Sequence, residues 1–315
     1  MMNFYKTIDS KIKLIDQIED GCWINMINPT PEEIGFVINK LNIEPSFLNA
    51  ALDEEESSRI ESENGQTLII VDAPITEQQT ENTIMYLTMP VGIIISDKNI
   101  ITVAIKEHSI LNEIASGTVR NIQTVLKTRF VFILLLKIVS KFLQYLRQID
   151  KIQSLMERQL QKSMRNKDLF QMLGLEKSLV YFSTALKANE VTLEKILRGR
   201  LIKLYEDDQD ILEDVLIEIK QAIDMTSTYS SILSSTMDIF ASIISNNLNI
   251  VMKLLTCVTV VLTIPNIITG FFGMNLKLPF QDSGYLGTSV VVFIIIFIML
   301  VVWKMLDKMG MFKRF

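Results

Sequence analysis

Asp238, Ser242, Ser245, Asn249, Met252, Thr256, Thr259, Thr263, Asn266, Gly270 and Gly273 recur at alternating steps of four and three. That spacing is a 3.5-residue period, the seam of a left-handed helical bundle. Here hydroxyls, amides and glycines occupy positions where Leu and Ile would ordinarily sit. Copies of such a helix arranged about an axis would enclose a narrow hydrophilic tube lined with oxygen atoms. The competing reading is structural: Ser and Thr let helices approach closely or bond back to their own backbone. One chain supplies one such face, so a tube requires several copies of the chain.

The stripe runs through a segment that suits a bilayer. Lys253 and Lys277 bracket 23 residues without a charge, about 34 Å of helix against roughly 30 Å of hydrocarbon. A helix serving only as an anchor has no use for Thr256, Thr259, Thr263, Asn266 and Thr269, because lipid cannot satisfy polar groups. The segment closes on Gly273-Met274-Asn275. Past a short loop, Gly284–Trp303 forms a second span rich in Val, Ile and Phe. The pair reads as one lining helix and one lipid-facing helix. Lys304, Lys308, Lys313 and Arg314 follow the second span, whereas the loop holds only Lys277 beside Asp282. The positive-inside rule then puts both termini in the cytoplasm.

The rest of the chain must position that helix. Its 315 residues exceed one ordinary core. Short β-rich runs stand at Gly21–Ile27, Thr67–Val71, Thr83–Leu87, Val91–Ile95 and Ile100–Ile105, parted by turn formers such as Asn64-Gly65. Thr30-Pro31-Glu32-Glu33 opens a helix, with Thr as the N-cap and Pro in the first turn. These features predict a sheet flanked by helices. From Val91 to Ile264 proline is absent, which predicts helices: a short one over Ser109–Val125 and long ones over Arg129–Asn166 and Lys167–Arg200. The apolar run Phe130–Leu136 is too short to span a membrane and reads as a buried helix face. A third long helix begins near Asp208 and meets no breaker before Pro265, about 57 residues or 85 Å. The predicted order is a mixed domain over 1–125 and long cytoplasmic helices with a stalk over 126–250. Spans over 251–275 and 284–304 follow, joined by a loop at 276–283 and ending in a basic tail at 305–315.

Composition excludes several functions. The net charge of −5 with no aromatic-interleaved basic patch gives nothing for nucleic acid. His108 is the only histidine, and Cys22 and Cys257 the only cysteines, so multi-His zinc chemistry and His-based triads are absent. There is no glycine-rich phosphate loop. No reaction suggests itself, and the chain does not read as an enzyme or as the holder of a cofactor. The opening MMNFYKTIDSKIKLIDQIED lacks the apolar core of a signal peptide.

A long helix, a span ending in Gly-Met-Asn, a short loop, a second span and a basic tail together resemble the CorA family of divalent-cation channels. The likeness covers the whole order of elements and is strongest over Asn249–Asn275, with Ser58-Arg59-Ile60-Glu61 adding to it in the N-terminal domain. It implies an α+β membrane protein assembled as a funnel-shaped homopentamer that passes Mg²⁺, with Co²⁺ or Ni²⁺, through the cell membrane. Gly273, Met274 and Asn275 would form the mouth, with Asn275 receiving the hydrated ion. Gly270 and Asn266 would line the upper path, Thr263 and Thr259 the middle. Met252 and Leu255 would form a hydrophobic gate, and Asn249 and Asp238 the lower polar rings. The family resemblance also implies closure by cytoplasmic Mg²⁺ bridging acidic residues between subunits. Asp214 falls at the family's stalk carboxylate, Asp210 lies one turn before it, and Asp53–Glu56 and Asp72 are candidates for the facing partner. Two departures stand out: Phe272 precedes Gly-Met-Asn where tyrosine is usual, and the loop LKLPFQDSGY holds one acid, Asp282. Relatives of this architecture are similar to zinc transporters, some of them proton-coupled. A zinc carrier of the same build and a membrane-anchored scaffold without transport are the alternative readings.

Overall fold

The computed structural model describes residues 1–80, 83–160, 166–199, 201–202, 205–274 and 284–309. Two compact units emerge, Met1–Met237 and Asp238–Phe315.

The first unit is built on a seven-stranded mixed sheet. Its strands are β1 (Met2–Ile8), β2 (Lys11–Ile15), β3 (Trp23–Ile27), β4 (Arg59–Glu63), β5 (Gln66–Thr80), β6 (Thr83–Ile95) and β7 (Ile100–Ala104), in spatial order β2-β1-β3-β7-β6-β5-β4. Only β3 and β7 run parallel. Thr67–Val71 and the paired runs Thr83–Leu87 and Val91–Ile95 belong to two long strands that continue through Pro74 and Pro90. Both prolines sit where one edge is free. The ladder of β4 on β5 covers residues 66–70 and that of β7 on β6 covers 91–95, so neither proline must donate to a second neighbour. The sequence reading found no strand at β1, β2 or β4. These carry polar or charged residues at alternate positions on the sheet margins, which weakens the apolar run that marks a strand.

Helices cover both faces. On one side lie α1 (Pro31–Leu41) and α2 (Pro45–Ala51). Thr30 caps α1 as its sequence predicts: its hydroxyl accepts from the Glu33 N–H, and Glu33 accepts from the Thr30 N–H. Val37, Phe47 and Leu48 bury against Ile24, Ile70 and Val103. Helix α2 comes so close to β6 that a Cβ on Gly92 would stand 2.3 Å from that of Ala51. Only glycine fits there.

On the other face pack α3 (Ser109–Ala115), α4 (Lys127–Leu160) and α5 (Asn166–Leu197). The helix expected over Ser109–Val125 stops at Ala115, because Gly117 turns the chain with φ +70° and residues 116–126 form turns. Phe130, Val131, Phe132, Leu134 and Leu135 are buried, as the short apolar run requires. Trp23 stacks on Tyr5 and packs against Phe130. Its indole N–H donates to Thr102 Oγ1, which donates to Asn25 Oδ1, each at 2.9 Å, so three buried polar groups satisfy one another.

Helix α5 is held to the sheet by a side chain acting as a strand. Asn189 Oδ1 accepts from the Asp72 N–H (2.9 Å) and Asn189 Nδ2 donates to the Asp72 carbonyl (2.8 Å), just beyond the point where β4 ends. Ser58 Oγ lies 2.7 Å from Asn189 Oδ1 and 3.2 Å from Asp72 Oδ2. Burial pushes the Asp72 carboxyl above its ordinary range, and the Ser58 hydrogen bond only partly opposes that. Asn189→Ala leaves both backbone groups of Asp72 unpaired and is expected to destabilise this unit by about 2–3 kcal/mol in urea unfolding.

His108 is 1% exposed, with no hydrogen-bond partner for Nδ1 or Nε2. Burial lowers its pKa from 6.5 to about 4. The unfolded chain therefore takes up this proton first as pH falls. Its contribution is complete above about pH 6.5 and declines by roughly 3 kcal/mol on approach to pH 4. Thermal melts between pH 7 and 4.5 should show this loss, and His108→Leu should flatten it.

Candidate functional site

Helix α6 (Glu206–Phe272) has a proline-containing, apolar last part, and α7 (Gly284–Lys308) follows. Both are long and apolar enough to cross a membrane. Within the second unit each helix has one less exposed side. On α6 it is formed by Cys257, Val261, Ile264, Pro265, Ile268 and Phe272; on α7 by Gly287, Val291, Ile295, Ile298, Val302 and Leu306. These ridges at three- and four-residue spacing are how paired helices pack.

The polar stripe lies elsewhere. At about 100° per residue, Met252 to Gly270 of the stripe fall within an arc of about 80°, centred nearly opposite the Cys257–Val261–Ile268 ridge. Asp238, Asn249, Met252, Thr256, Thr259, Thr263, Asn266, Gly270 and Gly273 are all exposed. Leu255, also exposed, stands at the edge of the arc. The chain thus packs its own span with the apolar side and leaves the oxygen-bearing side uncovered.

The hydroxyls are oriented. Thr256, Thr259 and Thr263 donate to the carbonyls of Met252, Leu255 and Thr259 at 2.7–2.8 Å. The back-bonding anticipated as a structural reading is therefore present, and it has a chemical consequence. Each hydroxyl proton is committed to the helix, so only oxygen lone pairs remain to face whatever lies beyond the stripe. Such a surface accepts hydrogen bonds, and the outward hydrogens of a cation's water shell can supply them.

Helix α6 ends as Gly273 N–H bonds the Thr269 carbonyl and Met274 N–H bonds that of Phe271. Gly273 and Met274 are exposed there, while Asn275 lies outside the described residues. A Cβ built on Gly270 would meet nothing within 4 Å. A mid-helix glycine costs about 1 kcal/mol against alanine, and nothing among the described residues requires one at this position.

Asp210 and Asp214 are exposed on the first turns of α6, whereas neighbouring Asp208 is buried beside Lys127, Arg129 and Tyr205. Glu56 pairs with Arg59, and Asp72 is engaged with Ser58. Among the described residues no three His, Cys, Asp or Glu side chains converge as a metal site. The structure adds a groove the sequence reading missed. Ser183, Thr184 and Lys187 of α5 face Asp224, Ser227, Ser231 and Ser234 of α6. Steps of three and four counted back from Asp238 reach Ser234, Ser231 and Ser227, and that was the available signal.

A sheet-and-helix unit followed by the long helix α6, apolar in its last part, and by the apolar α7 has the build of a two-span membrane protein. Residues 19–312 match the family model of the CorA-like Mg²⁺ transporter protein. The chain belongs to that family. It is 31% identical over 291 residues to the cobalt/magnesium transport protein CorA of Methanocaldococcus jannaschii, covering 89% of this chain and 88% of the relative. A second relative, the cobalt/magnesium transport protein CorA of Thermotoga maritima, is 34% identical over 113 residues, 32% of either chain. The complete structure of the M. jannaschii CorA magnesium transporter superposes with a TM-score of 0.83 at 26% identity, covering 98% of this chain and 97% of that one. The cytoplasmic domain of ZntB from Vibrio parahaemolyticus, 8% identical with a TM-score of 0.60 over 78% of this chain and 98% of that one, shares the fold.

Gly270→Ala tests the meaning of the open space. The variant is expected to gain up to about 1 kcal/mol of helix stability in detergent while assembling less completely, as read by light scattering after size exclusion.

Proposed function

We propose that the chain forms a homopentameric channel that admits Mg²⁺, and with it Co²⁺ or Ni²⁺, down the membrane potential. The observation that carries this reading is the exposed stripe opposite the packing face of α6. Several copies related by an axis would bring their stripes together. Gly273-Met274-Asn275 receives the hydrated ion at the outer end. Mg²⁺ dehydrates reluctantly and prefers oxygen ligands, so amide and backbone oxygens that hold its water shell suit both entry and exit. Asn266, Gly270, Thr263 and Thr259 present acceptors along the way. Met252 and Leu255 gate by dewetting, and Asn249 and Asp238 form the inner rings. For a divalent ion the potential supplies roughly 4.6 kcal/mol per 100 mV. Both termini face the cytoplasm. Asp210 and Asp214, exposed and without a third acidic partner among the described residues, would hold a regulatory ion only by sharing it with an adjacent copy.

Flux of Mg²⁺ and Zn²⁺ into liposomes containing the purified protein tests the reading, with and without a pH gradient. Magnesium entry that follows voltage, ignores pH and is abolished by Asn275→Ala with assembly intact is expected. Normal flux in that variant would sink the assignment of the mouth. Proton-dependent zinc entry would replace magnesium as the substrate, and the absence of any flux would leave a scaffold.

A further inference from the structure

Pro265 stands inside α6. It has no N–H to offer the carbonyl of Val261, and its ring presses against that carbonyl. Counted round the helix at about 100° per residue, Pro265 lies roughly 160° from Thr263. It is on the back of the stripe, in the partly buried ridge with Val261 and Ile268. One turn later Thr269 donates its hydroxyl to the Pro265 carbonyl at 2.7 Å, with the Asn266 carbonyl at 3.4 Å. Thr256, Thr259 and Thr263 make the same kind of bond from the stripe itself. Thr269 makes it from a position about 40° from Pro265. Back-bonding threonines and interior prolines both bend helices, and these two act at one level and on one side.

We propose that Pro265, assisted by Thr269, positions the outer end of the pathway by tipping Asn266–Met274 toward the stripe side. The inference rests on the conduction reading above. The displaced Val261 carbonyl opens the helix on its back, so the turns beyond Pro265 lean forward, toward the axis about which the stripes would meet. Leaning forward brings copies of those turns together and leaves room only for small side chains. The stripe obeys this. Below the proline it carries Met252, Thr256, Thr259 and Thr263; above it come Asn266, Gly270 and Gly273. The vacant Cβ position at Gly270, which touches nothing among the described residues of its own chain, is space reserved for an opposing copy or a passing ion. Pro265 touches no ion itself and acts through Asn266 and the glycines.

The test uses the full chain in liposomes and nanodiscs, with Pro265→Ala restoring the N–H and Thr269→Val removing the back-bond. Spin labels on Met274→Cys or Ser245→Cys, in a background carrying Cys22→Ala and Cys257→Ala, report distances between copies. Pro265→Ala is expected to lengthen the Met274 distance while the Ser245 distance and assembly size stay constant. Mg²⁺ uptake should fall at least about ten-fold and its preference over Na⁺ weaken; Thr269→Val should move each readout the same way by less. If Pro265→Ala fails to assemble, Thr269→Val decides by the same criteria. Unchanged Met274 distances, or lengthened distances with uptake and selectivity intact, would reduce Pro265 to a packing residue and overturn the proposal. Absence of uptake by the parent chain would remove the conduction reading, and the distances would still decide whether Pro265 tips the outer turns.

Discussion

A polar group at membrane depth must find its partner in protein, and the architecture of the second unit follows from how that demand is met. Between Lys253 and Lys277 the chain carries threonines, asparagine and glycines in a charge-free segment. The threonines settle their protons on their own helix. Their oxygens, and the amide of Asn266, cannot be settled by lipid. Helix α7 does not cover them, because α6 presents the Cys257–Val261–Ile268 ridge as its covered side. The free energy of leaving this face against hydrocarbon favours its meeting either water or another copy. The proposed oxygen-lined path between copies would answer both needs at once.

The first unit meets the same demand with protein partners. Asn189 lends its amide to the backbone of Asp72 where the sheet has run out of strand, and Ser178 accepts from the Tyr86 N–H. Trp23, Thr102 and Asn25 form a chain of donors and acceptors within the packed face. The prolines of β5 and β6 fall on edges that need no donor. His108, with both ring nitrogens unpartnered, and Gln153 Oε1 are exceptions among the described residues; keeping the imidazole neutral avoids the larger cost of burying a charge.

Much of this arrangement can be read from residue types. The 3.5-residue stripe, the charge-free span and the Thr30 cap are local patterns in which each residue's role depends on neighbours within two turns; the structure shows the cap and leaves the stripe on one exposed face of α6. Other features depend on residues distant in sequence. Nothing near Asn189 announces that it will complete a strand 117 residues away. The strands β1, β2 and β4 are short and lack a continuous apolar run, and Ala51 against Gly92 is a contact that only the assembled layers create. The stripe was legible because helix periodicity carries it. The side from which it is left bare was not, since that depends on where α7 packs.

The sparse charge along the stripe bears on how an ion would be handled. No carboxylate lies between Asp238 and Asp282, and among the described residues no single chain gathers a metal cluster. A doubly charged ion held by carboxylates in a low-dielectric span would bind too firmly to leave quickly. Neutral acceptors contribute weakly one at a time and act together only when repeated around an axis. Strength is then set by the number of copies and by how closely their outer turns approach, rather than by the charge on any residue. In the proposed channel the backbone of α6 would control selectivity as much as its side chains do. That gives a proline on the far side of the helix, and glycines on the near side, a physical reason to share one turn of the span.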